Sequence, residues 1–244
     1  MEFRILKKDL VKALDRTLSV VERRNTMPSL NHALFELKDE SLQISATDLE
    51  IFVTSNVPCK TLTQGRIAIP PRHLSDIIRG WNDDESIHFK AFENNSAEIK
   101  SGDRYIKLLG LPADSFPHFK TSPKGQLSSG HLNRKMFLDL IDKTEHSICT
   151  EEIRYFLTAI YLERLQENGK TTLRTVSTDG HRLSLMEVDE DVIGRLEIKK
   201  GLIIPKKGAQ ELKKLLEGVS SENFEITCDE NLIRANVGPD SLWV

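Results

Sequence analysis

The chain carries the same plan twice, and this constrains the fold more than any other feature. Ser45-Ala46-Thr47-Asp48-Leu49-Glu50 in the first half has its partner in Ser177-Thr178-Asp179-Gly180-His181-Arg182, about 130 residues later, a domain-sized period rather than a solenoid-sized one. Around these two sites the order is shared: strand, helix, strands, an Ile-Pro junction, a second helix, further strands. Ile67-Ala68-Ile69-Pro70 returns as Leu202-Ile203-Ile204-Pro205. One shared hexapeptide is cheap by chance, but six elements in one order imply a duplication.

Hydrophobic spacing fills in the elements. Leu10, Leu14, Leu18 and Val21 repeat at helical intervals and predict a helix over 7–24. Alternating stretches at 33–37, 42–47, 50–57 and 65–69 predict strands. A helix opens at Pro70-Pro71, where proline suits the first turn, with Leu74, Ile77, Ile78 and Trp81 inward and Arg72 and Arg79 outward. Three more strands follow over 86–109. The second repeat then gives a helix over 133–149, strands at 156–162, 173–177 and 183–188, a helix over 206–217, and strands at 223–227 and 231–236. Asp179-Gly180 predicts a two-residue hairpin turn, because glycine accepts the positive φ such a turn needs. The expected fold class is α+β: tandem homologous domains, each with two helices packed on antiparallel sheets. The domains are expected at 1–122 and 129–244, joined by a linker at 123–128. The last strand of the second domain is expected to be incomplete at Val244, which reads as a truncated protein or an expressed fragment.

Composition narrows the function. No apolar run approaches the roughly 20 residues of a membrane span, and the alternating N-terminus has no signal-peptide core. Cys59, Cys149 and Cys228 are odd in number and widely spaced, which points to reduced thiols in a cytoplasmic protein. The seven histidines show no metal-ligand spacing, and neither a phosphate-binding glycine loop nor a nucleophile elbow occurs; no cofactor or metal is expected. Asp48 and Asp179 could be imagined as metal carboxylates of a nucleic-acid hydrolase. Each follows Ser or Thr at a strand end, where aspartate more often builds a turn. The net charge is −3, so any surface for nucleic acid must be local. Lys8, Lys12 and Arg16 lie four apart on the first helix. Arg72 and Arg79 mark the second, and Lys207, Gln210 and Lys214 share a face of the fourth, with Lys206 and Lys213 beside it. The third helix is mixed. Basic helix faces on an acidic chain fit sequence-independent contact with phosphates. At the hairpin a shallow site is expected, where Leu157 and Leu183 offer apolar surface, Gly180 permits close approach, and His181 and Arg182 offer donors to a peptide or its acidic flank.

Arg154-Tyr155-Phe156-Leu157, Thr178-Asp179-Gly180-His181-Arg182-Leu183, the two Ile-Pro-helix junctions and Ser115-Phe116-Pro117 together resemble the β subunit of bacterial DNA polymerase III, the sliding-clamp family. The resemblance covers essentially the whole chain. It implies the DNA-clamp fold and a non-catalytic processivity factor. In that family three such domains make a subunit, and two subunits close head to tail around duplex DNA without reading bases. By resemblance, Arg24, Arg72, Arg79 and Lys207 fall on the DNA-facing side, and Lys206 and Lys214 join Lys207 there from the basic face of the fourth helix. Leu157, Thr178, Gly180, His181, Arg182 and Leu183 map to the pocket for short peptide motifs of the polymerase catalytic subunit, clamp loader and repair proteins. Thr158-Ala159 stands where the family usually has Asn-Gly, and Glu151 puts an acid at a DNA-facing loop. The family's third domain has no counterpart here. The alternative is a peptide-binding fragment that forms no ring.

Overall fold

Alternation decides the first element. In Glu2–Leu6 (β1) Phe3 and Ile5 are buried while Arg4 and Leu6 face outward, the two-residue period of a half-buried strand. The computed structural model describes residues 1–22, 26–118, 127–167, 169–189, 193–194, 196–198, 200–229 and 232–244. They fall into two compact units, Met1–Phe119 and Lys120–Val244.

In the first unit β1 is followed by α1 (Lys7–Leu18), β2 (Ala33–Lys38), β3 (Ser41–Thr47), β4 (Phe52–Pro58), β5 (Lys60–Thr63) and β6 (Gly65–Ile69). Then come α2 (Pro71–Ile78), β7 (Ser86–Ala91), β8 (Ser96–Ser101) and β9 (Arg104–Leu109). One antiparallel sheet runs β5-β1-β7-β8-β9; the other strands pair as β4-β3-β2-β6. Phe3 and Phe89 of the first sheet stack at 4.9 Å between centroids, and Phe35 of the second lies 5.8 Å from Phe89. The core is therefore the space between the two sheets, closed by Leu10 and Leu14 of α1 and Leu74 and Ile78 of α2, all fully buried.

The second unit holds β10 (Ser128–Asn133), α3 (Arg134–Asp142), β11 (Ala159–Glu167), β12 (Lys170–Thr178), β13 (Leu183–Asp189), β14 (Ile193–Gly194) and β15 (Leu202–Pro205). It ends with α4 (Lys206–Glu217), β16 (Asn223–Cys228), β17 (Ile233–Val237) and β18 (Asp240–Trp243). The order β14-β10-β16-β17-β18 repeats β5-β1-β7-β8-β9. Likewise β13-β12-β11-β15 repeats β4-β3-β2-β6. The duplication thus extends from element order to hydrogen-bonded topology.

Several boundaries differ from expectation. α1 stops at Leu18, because the Thr17 hydroxyl donates to Leu14 O (2.8 Å) and the N–H groups of Val20 and Val21 both return to Thr17 O. Val20 and Val21 remain buried in the turn, so apolar spacing outlasts the helix. α3 starts after an Asn133 cap, whose side chain accepts from Met136 N–H (3.0 Å), and ends at Asp142. Ile77, expected inward, is 41% exposed. β18, expected to be incomplete, is four residues long where β9 has six. It pairs with β17, and Val244 exchanges two further bonds with Ile233 (2.8 and 2.9 Å). All three cysteines are free and buried. Among the described residues no helix is long and apolar enough to cross a membrane.

Candidate peptide pocket and basic helix faces

The β12–β13 connection is built by one carboxylate. Pairing runs to Thr178↔Leu183, so the loop has four residues, Asp179 to Arg182, and not the two expected. Asp179 Oδ1 accepts from the N–H groups of both His181 and Arg182 (3.0 Å each), and its Oδ2 accepts from Arg182 Nε (3.0 Å). The Thr178 hydroxyl donates to Arg182 O (2.7 Å) and accepts from Gly180 N–H (3.1 Å). Gly180 sits at φ +88°, as its identity predicts. The two backbone N–H groups, with that of His181 foremost, hold the Asp179 carboxyl at about 2, below its ordinary 3.8. A depressed carboxylate stabilises the fold above its unfolded pKa and loses that effect as pH falls through the folded one. The loop is therefore expected to persist at pH 4 and to loosen between about 4 and 2. An NMR titration of the Asp179 side chain reads this directly, and a midpoint near 3.8 would contradict it.

The first repeat builds the same loop. Asp48 Oδ1 accepts from Glu50 N–H (3.1 Å) and Ile51 N–H (2.7 Å), while Thr47 Oγ1 bonds Ile51 O (2.7 Å) and Leu49 N–H (3.0 Å). Leu49, at φ +81°, takes the place of Gly180. Both aspartates are thus turn builders, each with its Oδ1 engaged by two backbone N–H donors.

Around the second loop lie further polar anchors. Arg182 Nη2 donates to His146 O (2.7 Å), and Arg154 Nη1 donates to Asp179 O (3.3 Å). The Ser184 hydroxyl meets His146 Nε2 (2.9 Å) and the Ser147 hydroxyl (2.6 Å). The loop is held to the segment after α3 at several points. Beside it is a hollow of about 150 Å³ lined by Phe156, Leu157, Tyr161, Val176, Thr178 and Ile203, among others. Of the six predicted pocket residues, Leu157 and Thr178 line this hollow. Gly180, His181, Arg182 and Leu183 form the loop and strand start that lead away from Thr178; Leu183 is 63% exposed. Tyr161 and Ile203 were missed. Their signal was available: each is the outward residue of an alternating strand, and they stand directly opposite one another.

The basic residues are less free than helical spacing implies. Arg24 lies outside the described residues. Arg72, expected outward, instead donates through Nη2 to Leu18 O (2.6 Å) and Val21 O (2.9 Å), capping the carbonyl end of α1. Arg79 pairs with Asp15 and also donates to Ser75 Oγ. Lys206 and Lys207 are half-buried at the start of α4. Lys214 pairs with Glu211 at 2.7 Å and stays mostly exposed. Lys213 is held by Asp142 (2.6 Å) and Glu145 (3.2 Å), and the Asp142 bond raises its pKa. On α1, Lys8 pairs with Asp84 while Lys12 is exposed. The faces remain cationic but are locally balanced by carboxylates, an arrangement suited to weak, screened contact with a polyanion.

Comparison with known proteins places the chain. Residues 1–120 match the model of the DNA polymerase III beta subunit, N-terminal domain, and residues 131–242 match that of its central domain. A beta sliding clamp of Caulobacter vibrioides is 34% identical over 246 residues, covering 99% of this chain and 64% of that protein. One from Pseudomonas putida is 34% identical over 242 residues, covering 98% and 62%. Among solved structures, the DNA polymerase sliding clamp from Caulobacter crescentus matches with a TM-score of 0.92 at 32% identity, over 100% of this chain and 64% of that one. The sliding clamp (DNA polymerase III subunit beta) from Bartonella birtlesii, solved bound to griselimycin, matches with 0.91 at 33% identity, again over 100% and 64%. The chain spans a little under two thirds of the length of these relatives. It belongs to the DNA polymerase III beta subunit family, and carries that family's N-terminal and central domains in the DNA-clamp fold.

Proposed function

We propose that this polypeptide acts as a DNA sliding clamp of the bacterial replicative polymerase. It tethers polymerase and repair proteins to duplex DNA by encirclement and catalyses no reaction itself. The observation that carries this reading is the likeness over the whole chain to proteins named as sliding clamps. Cytoplasmic action follows from the same reading. Lys206, Lys207 and Lys214 of α4, with Arg79 just after α2 and Arg24, are the proposed phosphate contacts; Arg72 serves through the end of α1 that it caps. Replacing Lys207 and Lys214 by alanine is expected to reduce the salt dependence of DNA binding by roughly 0.9 in log–log slope per lost contact. Titrating fluorescent duplex DNA at several salt concentrations checks this, and an unchanged slope would remove α4 from the interface.

Partner proteins are proposed to enter through a short apolar motif at the Leu157–Thr178 hollow, with Arg182 and His181 at its flank. Leu157→Ala and Arg182→Ala are each expected to weaken binding of a peptide carrying Gln, Leu and Phe by at least about tenfold. Because this hollow lies within the second unit, a peptide-binding module without a ring is the second reading. It would bind the peptide yet show no difference between closed circular and linear DNA.

A further inference from the structure

Tyr161 lies on a glycine whose backbone does not call for one. On β11 it stands directly opposite Val176 of β12 and Ile203 of β15. Gly201, two residues before Ile203, is its diagonal neighbour, at a spacing that aromatic side chains reach across. A Cβ at Gly201 would stand 2.0 Å from both Cζ and Oη of Tyr161. The phenol ring therefore rests on bare backbone, in space that any side chain at 201 would fill. Gly201 is not among the glycines at positive φ, so the ring, and not the backbone conformation, excludes a side chain there.

The first repeat is built differently at both places. The same register puts Leu34 and Arg66 there, and the face is closed by the bridge between Ala68 and Leu111. In the second repeat the displaced ring borders the hollow that Phe156, Leu157, Val176 and Ile203 also line. That hollow measures about 150 Å³, the size at which a cavity lined by Leu, Ile and Phe holds one benzene ring. Phe156 and Tyr161 are 62% and 40% exposed. Two rings are thus offered to an entering side chain, which favours an aromatic occupant over an aliphatic one.

We propose that the hollow takes a single aromatic ring, and that the Tyr161–Gly201 contact holds it open for that ring. Resting on the peptide-entry reading above, the inference names the occupant as the phenylalanine of the partner motif. Tyr161 touches the incoming ring; Gly201 is a positioning residue that acts through Tyr161. A side chain at 201 drives the phenol ring to another staggered rotamer, and the open space on that face is the hollow itself. The chain's own ring then takes the place of the ligand's.

The test compares two fluorescent peptides on the 244-residue chain, one carrying Gln, Leu and Phe, the other with Leu in place of Phe. The unmodified chain is expected to bind the Phe peptide about three- to tenfold tighter. Gly201→Ala should weaken the Phe peptide at least tenfold. Tyr161→Phe should keep the preference, and Tyr161→Ala should abolish it. In the Tyr161→Ala background Gly201→Ala should change nothing, because no ring remains to displace. Equal loss with and without the Tyr161 ring would mark plain damage to β15 and overturn the inference. So would Gly201→Ala binding like the unmodified chain, or no preference between the peptides. A readout without peptide separates the inference from the reading beneath it. Benzene should shift the methyl NMR signals of Val176 and Ile203, and Gly201→Ala should remove those shifts. Benzene shifts without peptide binding would sink the peptide reading and leave the ring-sized hollow standing; peptide binding indifferent to Gly201→Ala would do the reverse.

Discussion

Replacing Phe89 by alanine is expected to destabilise the first unit by about 3–5 kcal/mol. Phe89 is fully buried on β7, the strand between β1 and β8, and stacks on Phe3 within its own sheet and on Phe35 from the facing one. Its ring joins the two layers, and neither neighbour can fill the space it would leave without abandoning its own strand. The chain's two tryptophans report separately, since Trp81 lies in the first unit and Trp243 in the second. Urea unfolding of single-tryptophan versions should show the Trp81 transition moved down by more than about 1 M. The Trp243 transition should be almost unmoved. Equal shifts at both would mean that the two units unfold as one.

The second large effect is expected at Gly110. A Cβ there would stand 2.3 Å from Ala68 O, a backbone atom that accepts from Leu111 N–H (2.8 Å). Gly110→Ala must therefore break either that bridge or the bond from Gly110 N–H to Asn95 O (2.8 Å). The cost is expected to be about 1–3 kcal/mol. The segment it releases ends in Phe116, only 4% exposed, and is held further along by Arg66 to Asp114 (2.7 Å). Hydrogen exchange at Leu111 and Ala68 should accelerate before the sheet core does; unchanged protection would show that the bridge is not strained by the methyl group. In the second unit the place of Ala68 belongs to Ile203, which is 63% exposed. The outer face buried in one repeat is open in the other.

Much of this was legible in the residues. The duplication, the α+β class and both bounds of α4 follow from apolar spacing and the Ile-Pro junctions, because local pattern and tertiary burial agree there. β10 was not legible: Ser128–Asn133 is largely polar and gains its strand character from pairing with β16. β5 is similar, a short Lys-Thr-Leu-Thr edge held by β1. The loop length after Thr178 was misjudged because a side-chain acceptor, Asp179, replaced the backbone bond of a tighter turn. The basic faces were visible, but not their partners. Asp83 and Asp84 lie 76 residues from Lys7 and Lys8, and Asp142 pairs with Lys213 from another helix. Spacing along one helix reports which face a cation shares, and says nothing about the carboxylate that folding brings to it.

Encirclement is tested most directly by loading the chain onto closed circular duplex DNA, cutting the circle once, and following release. A clamp is expected to remain on the closed circle at salt concentrations that abolish binding to short linear duplex, and to be lost when the circle is cut. Equal retention on closed and cut DNA, or loss from both at the same salt concentration, would contradict the account and reduce the protein to a surface binder of phosphates.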